Sequence, residues 1–240
     1  MKVDGLEDKL AVVTGAARGI GFSIAQTLAN QGARVALLDI QPQAVADAAR
    51  KIRGANGFVA DITNGSSVES AFAAVRRKMG SIEVLVNNAG IIAWKTFAEG
   101  SEADWDRSML VNAKGVYLCC RAVYDDMKSR RKGCIVNVTS SAAKKASMAC
   151  PHYGASKAAA LNLTLSLAAD LAPHGVRVNG IAPSLIATDM FEGKDVVQLS
   201  PIGRLGKPTE VADAVAFLCS DNASFITGEI LDVNGGFLMD

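Results

Sequence analysis

The sequence predicts an α/β protein, a doubly wound parallel sheet of seven strands with helices on both faces. Three observations predict it. Short apolar, β-branched runs alternate with longer stretches whose apolar residues recur at helical spacing. The runs are nearly continuous in hydrophobicity, as strands covered on both sides must be. The first run also ends in a glycine-rich turn, TGAARGIG at 14–21, that leads straight into a helix.

In order, LAVVTG at 10–15 reads as the first strand, followed through the glycine turn by a helix near 20–31. ARVALLD, closed by Asp39, is the second strand, with a helix near 43–53 behind it. NGFVAD, closed by Asp61, precedes a helix near 67–78, and IEVLVNN precedes a helix over 102–130. GCIVNVTS is followed by a helix at 153–172, VRVNGIAP by one at 209–219, and EILDVNG is the seventh strand. Residues 189–207, DMFEGKDVVQLSPIGRLGK, are irregular enough to form a mobile lid. No repeat, low-complexity tract or composition shift marks a linker, so residues 1–240 are expected to form a single domain.

Composition narrows the chemistry. The chain has 240 residues, a formal net charge of +1 and no long basic run, which argues against a nucleic-acid partner. Five cysteines lack paired metal-ligand spacing and only two histidines accompany them, so a reducing compartment and no bound metal are expected. MKVDGLEDKLAVVTG carries no secretory apolar segment, and no window approaches the roughly 18 apolar residues of a membrane helix. A soluble, cytoplasmic protein acting on a small molecule follows. Cys119 and Cys120, in a strongly apolar run, are expected in packing.

In an open parallel sheet, ligands bind outside the carboxyl ends of the strands. There, Gly15, Gly19 and Gly21 permit a tight turn and close approach of backbone to a pyrophosphate, and the first helical turn offers free N–H groups. This spacing differs from the common GxGxxG, and a plain strand-to-helix turn is the alternative. Asp39, eighteen residues after Gly21, is placed to accept hydrogen bonds from an adenosine ribose and would repel a 2′-phosphate, favouring NAD over NADP. Arg18, inside the turn, is a counter-signal because it could pair with a phosphate.

Tyr153 and Lys157 stand four residues apart on one helical face. An ammonium beside a phenol, joined by the positive ring of an oxidised nicotinamide, is expected to lower the phenol's pKa and make it a proton acceptor. His152 adjoins Tyr153 but points away around the helix, as a pocket-edge or structural residue.

Taken together, TGAARGIG, NNAG at 87–90, Asn112 in VNAKGVYL, Ser140 in IVNVTSS and YGASK at 153–157 resemble the short-chain dehydrogenase/reductase family, over almost the whole chain. The resemblance implies a Rossmann-type fold, a nicotinamide cofactor, interconversion of a secondary alcohol and a ketone, and a homotetramer whose dimer face uses the helices at 102–130 and 153–172. It implies that Tyr153 is the acid/base, Lys157 its partner and a ligand of the nicotinamide ribose, Ser140 the residue holding the substrate oxygen, and Asn112 a fourth catalytic member in a kinked helix, organising a water. Along the cofactor it implies Ile20 within the glycine turn, Asp61 and Ile62 near the adenine, Asn88, Ala89 and Gly90 along the adenosine side, and Pro183 and Thr188 near the nicotinamide. Where many relatives have Pro-Gly, this chain has Pro183-Ser184, which predicts a slightly different loop there.

The substrate end is expected to be mostly apolar, lined by Ile92, Ala93 and Trp94 on one wall and by Met148, Met190 and Phe191 elsewhere. Lys144 and Lys145 stand out there as potential attractors of a carboxylate or phosphate. The leading expectation is an NAD-dependent alcohol dehydrogenase or ketoreductase. An NADPH-dependent 3-oxoacyl-[acyl-carrier-protein] reductase and a non-catalytic dinucleotide-binding regulatory subunit are the alternatives.

Overall fold

The computed structural model describes residues 2–191 and 196–239, with the Phe191 side chain outside the description. Seven strands form one parallel sheet: β1 (Leu10–Thr14), β2 (Arg34–Asp39), β3 (Asn56–Val59), β4 (Val84–Asn87), β5 (Gly133–Val138), β6 (Val176–Pro183) and β7 (Ile230–Val233). Their order across the sheet is β3-β2-β1-β4-β5-β6-β7, every neighbour parallel. This confirms the expected seven-stranded sheet, each strand lying within its apolar run and none more than three residues shorter than it.

Parallel neighbours require crossovers, and the helices supply them: α1 (Gly19–Asn30), α2 (Pro42–Arg50), α3 (Gly65–Met79), α4 (Glu102–Met109), α5 (Gly115–Arg130), α6 (Pro151–Leu171) and α7 (Pro208–Cys219). Alternation along each strand divides the core in two. On one face Ala11, Val13, Val35 and Leu37 pack with Ile24 and Leu28 of α1, Val45 of α2 and Val215 of α7. On the other, Leu10, Val12, Ala36 and Leu38 pack with Phe72 of α3, Val123 and Met127 of α5 and Leu171 of α6. Cys119 and Cys120 lie in this second layer, fully enclosed.

The helical stretch expected over 102–130, kinked at Asn112, is divided in the structure. A capping box between Ser101 and Asp104 starts α4, and a π-helical turn, Leu110–Lys114, separates it from α5. The wider turn carries Asn112, whose side chain is bonded to the loop after β4. Gly115, where the regular helix resumes, has no room for a side chain: a Cβ there would lie 2.6 Å from Ile62 Cδ1.

The strand order reverses direction between β1 and β4, and the loops leaving these two strands part to open a crevice at the carboxyl edge. At the base of the segment expected to be a lid, Ile186 bridges Gly206 in parallel, with Ala187 N donating to Gly206 O at 2.8 Å. Residues 189–191 and 197–199 form short 3-10 turns, and 192–195 lie outside the described residues. Among the described residues, no helix is long and apolar enough to cross a membrane.

Phe72, on α3, is fully buried in the second layer. Phe72→Ala is expected to lower the unfolding free energy by about 3–5 kcal/mol, measured by chemical denaturation.

Candidate active site

The crevice has a volume of about 1030 Å³, at the top of the range of roughly 300–1,000 Å³ usual for one ligand. Its walls gather residues from almost every strand end. Among the described side chains, the residues that the sequence singled out for the cofactor, the reaction or the substrate line it, with the exceptions of Ala93, Lys144 and Asn112, the last wholly buried behind it.

At one end β1 runs into the glycine turn. Gly15 (φ +61°) and Gly19 (φ +57°) are left-handed, a conformation side chains rarely adopt. A Cβ on Gly15 would lie 2.7 Å from Ala89 Cα, and one on Gly21 would lie 2.2 Å from Gly15 O. The turn is therefore pressed against the NNAG loop on one side and open on the other. Arg18, at the N-cap of α1, gives no side-chain capping bond. Uncapped first-turn N–H groups beside a bare glycine backbone fit a pyrophosphate.

The Asp39 carboxylate closes this end. One oxygen accepts from Ala17 N at 3.2 Å and the other from Gln41 N at 3.2 Å, so the acid is fixed at the rim of the turn. Asp61 accepts from both the backbone N–H and the hydroxyl of Thr63 through one oxygen, at 2.9 and 2.7 Å. Ile20 and Ile62 add apolar lining. Arg18 reaches across to Asp189, 3.3 Å away, in a solvent-exposed ion pair of little energetic weight.

The NNAG loop has a bracing role that its sequence did not reveal. Asn88 turns its amide inward, donating to Thr14 O at 3.0 Å and Gly15 O at 3.1 Å. Thr14 Oγ1 in turn accepts the backbone N–H groups of Asn88 and Ala89, each at 3.1 Å. Thr14 was not singled out beforehand, because a threonine at a strand end has no distinguishing pattern. Gly90 marks the next contact: a Cβ on it would stand 3.2 Å from both Asn112 Oδ1 and Lys157 Nζ.

Tyr153, Lys157 and Ser140 come together at the centre. Tyr153 and Lys157 rise from the first two turns of α6, both buried, and the Ser140 hydroxyl, just beyond β5, lies close enough to the Tyr153 phenol to favour its ionised form. Gly154 lets α6 approach closely, since a Cβ there would lie 3.0 Å from Ala142 O. Asn112 bonds three groups at once: Oδ1 accepts from Ile91 N at 2.8 Å, and Nδ2 donates to Ile91 O at 2.9 Å and to Ser156 Oγ at 3.0 Å. Ser156 Oγ then donates to Tyr153 O at 2.7 Å, which ties the helix carrying the phenol to the loop after β4.

One electrostatic expectation is corrected. The Lys157 ammonium does not pair with the phenol; it donates to Val138 O at 2.8 Å and stands 5.8 Å from the centroid of the Tyr153 ring. Burial is the largest influence on both groups. It pushes the phenol up to about 12 against the opposing influence of the nearby Ser140 hydroxyl, and the ammonium down to about 8. A backbone carbonyl carries no sequence signal, so this partner of Lys157 was not legible beforehand.

At the far end, Trp94 Nε1 donates to Met190 O at 3.3 Å, joining the loop after β4 to the segment after β6. Ile92, Met148, Met190, Leu199 and Phe237 add apolar lining. Ala93 is not part of the wall; its carbonyl lies 3.0 Å from Nε2 of the buried His152, which is a structural residue as expected. Lys144 is also corrected: it turns away from the crevice to Asp232 Oδ2 at 2.5 Å and Ile230 O at 3.3 Å. Thr188 lines the crevice and donates to Ile186 O at 3.3 Å, while Pro183 closes β6. Beyond it Ser184 keeps ordinary angles and the left-handed position falls on buried Leu185 (φ +53°). Among the described residues, no group of three or more His, Cys, Asp or Glu side chains is placed to hold a metal.

A doubly wound sheet whose switch-point crevice joins a glycine turn to a buried phenol and ammonium defines the class of nicotinamide-dinucleotide oxidoreductases. More particularly, the chain belongs to the short-chain dehydrogenase/reductase family. The family model described as enoyl-(acyl carrier protein) reductase matches residues 15–238. The chain is 39% identical over 242 residues to 3-oxoacyl-[acyl-carrier-protein] reductase FabG of Vibrio cholerae serotype O1, covering 98% of this chain and 99% of that protein. It is 38% identical to D-threitol dehydrogenase of Mycolicibacterium smegmatis, covering 97% of this chain and 94% of that one. The crystal structure of gox2181 superposes with a TM-score of 0.93 at 33% identity, covering 96% of each chain.

The depressed ammonium has a consequence for stability. Between its folded value of about 8 and the ordinary 10.5, the unfolded chain holds a proton on Lys157 that the folded protein does not, so raising the pH across that window favours the fold. The full difference corresponds to roughly 3 kcal/mol. Thermal denaturation from pH 7 to 10 is expected to show wild type gaining stability relative to Lys157→Met; parallel curves would contradict the buried ammonium.

Proposed function

We propose that the protein is an NAD-dependent oxidoreductase that interconverts a secondary alcohol and a ketone, with Tyr153 as the acid/base. The observation that carries this reading is the enclosed meeting of Tyr153, Ser140 and Lys157 in the same crevice as the glycine turn and Asp39. When bound, a nicotinamide dinucleotide supplies the hydride acceptor or donor and, oxidised, a positive ring. The residues that fit it are Gly15, Gly19 and Gly21 for the pyrophosphate, Asp39 for the adenosine ribose, Asp61 and Ile62 beside the adenine, Lys157 for the nicotinamide ribose, and Pro183 and Thr188 at the nicotinamide end.

In the oxidative direction, Ser140 holds the substrate oxygen and Tyr153, as phenolate, takes the hydroxyl proton while the carbinol C–H bond gives up hydride. In reduction, the phenol returns its proton to the carbonyl oxygen. Burial opposes the phenolate, so positive charge brought beside the ring is what draws its pKa down toward the working range. Asn112 acts through others: by bonding Ile91 and Ser156 it fixes the loop and helix on which these groups stand.

The similarity to FabG supports a second reading, an NADPH-dependent reduction of a 3-oxoacyl thioester. Asp39 distinguishes them, since a carboxylate at the rim repels a 2′-phosphate. We further propose that residues 1–240 work as one domain in a cytoplasmic homotetramer, with 189–207 folding over the substrate.

Two measurements test these assignments. Tyr153→Phe is expected to lose about 10²–10⁴-fold in kcat on a panel of secondary alcohols and ketones while retaining dinucleotide binding by fluorescence titration; unchanged rates would remove Tyr153 from the chemistry and favour a non-catalytic regulatory subunit. Wild type is expected to prefer NADH to NADPH by at least about tenfold in kcat/KM, and Asp39→Ser to erode that preference. A wild-type preference for NADPH would favour the thioester reading.

A further inference from the structure

Two adjacent lysines lie between Ser140 and Tyr153, and the fold gives them different fates. Lys144 is neutralised by Asp232 and has a mostly buried side chain. Lys145 points into the crevice, where its Nζ stands 3.6 Å from the centroid of the Phe237 ring, on the tail that follows β7. Among the described residues Lys145 forms no ion pair. An aromatic face holds an ammonium in place by its quadrupole without cancelling the charge. The positive end is positioned and still uncompensated.

The other charges around the crevice leave that end one-sided. Asp39 and Asp61 are at the ends of β2 and β3, on the dinucleotide side, and Asp189 is paired with Arg18. Arg107, on α4, also lines the crevice, adds a second positive charge and has no carboxylate partner among the described residues. Trp94 and the exposed Met148 and Leu199 line the same crevice, and Lys145 itself is open to solvent, so an anion can reach its ammonium.

We propose that Lys145 is a specificity-determining residue, and that the physiological substrate carries an anionic group, carboxylate or phosphate, apart from the carbon that exchanges hydride. This rests on the reading of the crevice as the place where a carbinol is oxidised. Lys145, held by Phe237, orients the substrate chain so that its oxygen reaches Ser140 and Tyr153, and it disfavours neutral alcohols of the same length.

Calorimetric titration of the full-length protein, with and without NADH, tests this using butyrate, butyl phosphate and butan-1-ol. Wild type is expected to bind at least one anionic probe about tenfold or more tightly than the alcohol, and whichever of the two binds better identifies carboxylate or phosphate. Lys145→Met is expected to bring the anion-to-alcohol ratio near unity, and Lys145→Arg to restore it. High ionic strength is expected to weaken the anionic probes selectively. Equal affinities in wild type, or a ratio unchanged in Lys145→Met, would overturn the assignment. Turnover is read separately, with 3-hydroxybutyrate and its ethyl ester among the secondary alcohols: an anion preference with no turnover of any alcohol would leave the anion site standing and remove the catalytic reading, whereas turnover with no anion preference would do the reverse.

Discussion

The structure depends on keeping an ammonium and a phenol out of water at the carboxyl edge of a parallel sheet. Neither group is comfortable there: burial pulls Lys157 toward its neutral form and Tyr153 toward its protonated form. The cost is offset for the ammonium by the Val138 carbonyl, and the Ser140 hydroxyl near the phenol works against its burial. Both groups come from the end of β5, so the helix that carries Tyr153 and Lys157 must be held in register with that strand. Gly154 permits the close approach, and the Asn112–Ser156–Tyr153 chain of hydrogen bonds ties α6 to the loop after β4.

The same economy of rigid support appears at the glycine turn. Asn88 and Thr14 spend their hydrogen bonds on backbone, which fixes the turn against the NNAG loop and leaves the N–H groups at the start of α1 uncapped. The residues that hold the shape thus differ from those left with free binding capacity. Asp39 shares both duties, bracing the turn through Ala17 while presenting a carboxylate to the rim.

The end of the crevice away from the glycine turn is lined by side chains delivered by segments far apart in the sequence. Trp94 leaves β4, Lys145 leaves β5, Met190 follows β6 and Phe237 follows β7. Such an assembly can vary its lining while the polar centre stays fixed, because none of these residues supports the Lys157–Val138 or Asn112–Ile91 contacts. The relatives, which include a 3-oxoacyl reductase and a threitol dehydrogenase at nearly the same identity, fit that separation of chemistry from selection.

The sequence by itself determined the seven strands, the helices between them and the grouping of Tyr153, Lys157, Ser140, the glycine turn and Asp39 at one edge, because hydrophobic period and the strand-end rule act locally and survive without coordinates. It could not determine the π turn at Asn112, the inward turn of Asn88, the choice of Val138 O over the phenol by Lys157, or the divergence of Lys144 and Lys145. Each of these is settled by which backbone carbonyl, carboxylate or ring a distant segment brings within about 3–4 Å of a side chain, a matter of packing that no spacing along the chain encodes. Only the tertiary structure decides where a buried polar group finds its partner, and here it enclosed Lys157 and Tyr153, whose burial moves their protonation, and left Lys145 at the crevice without a carboxylate partner among the described residues.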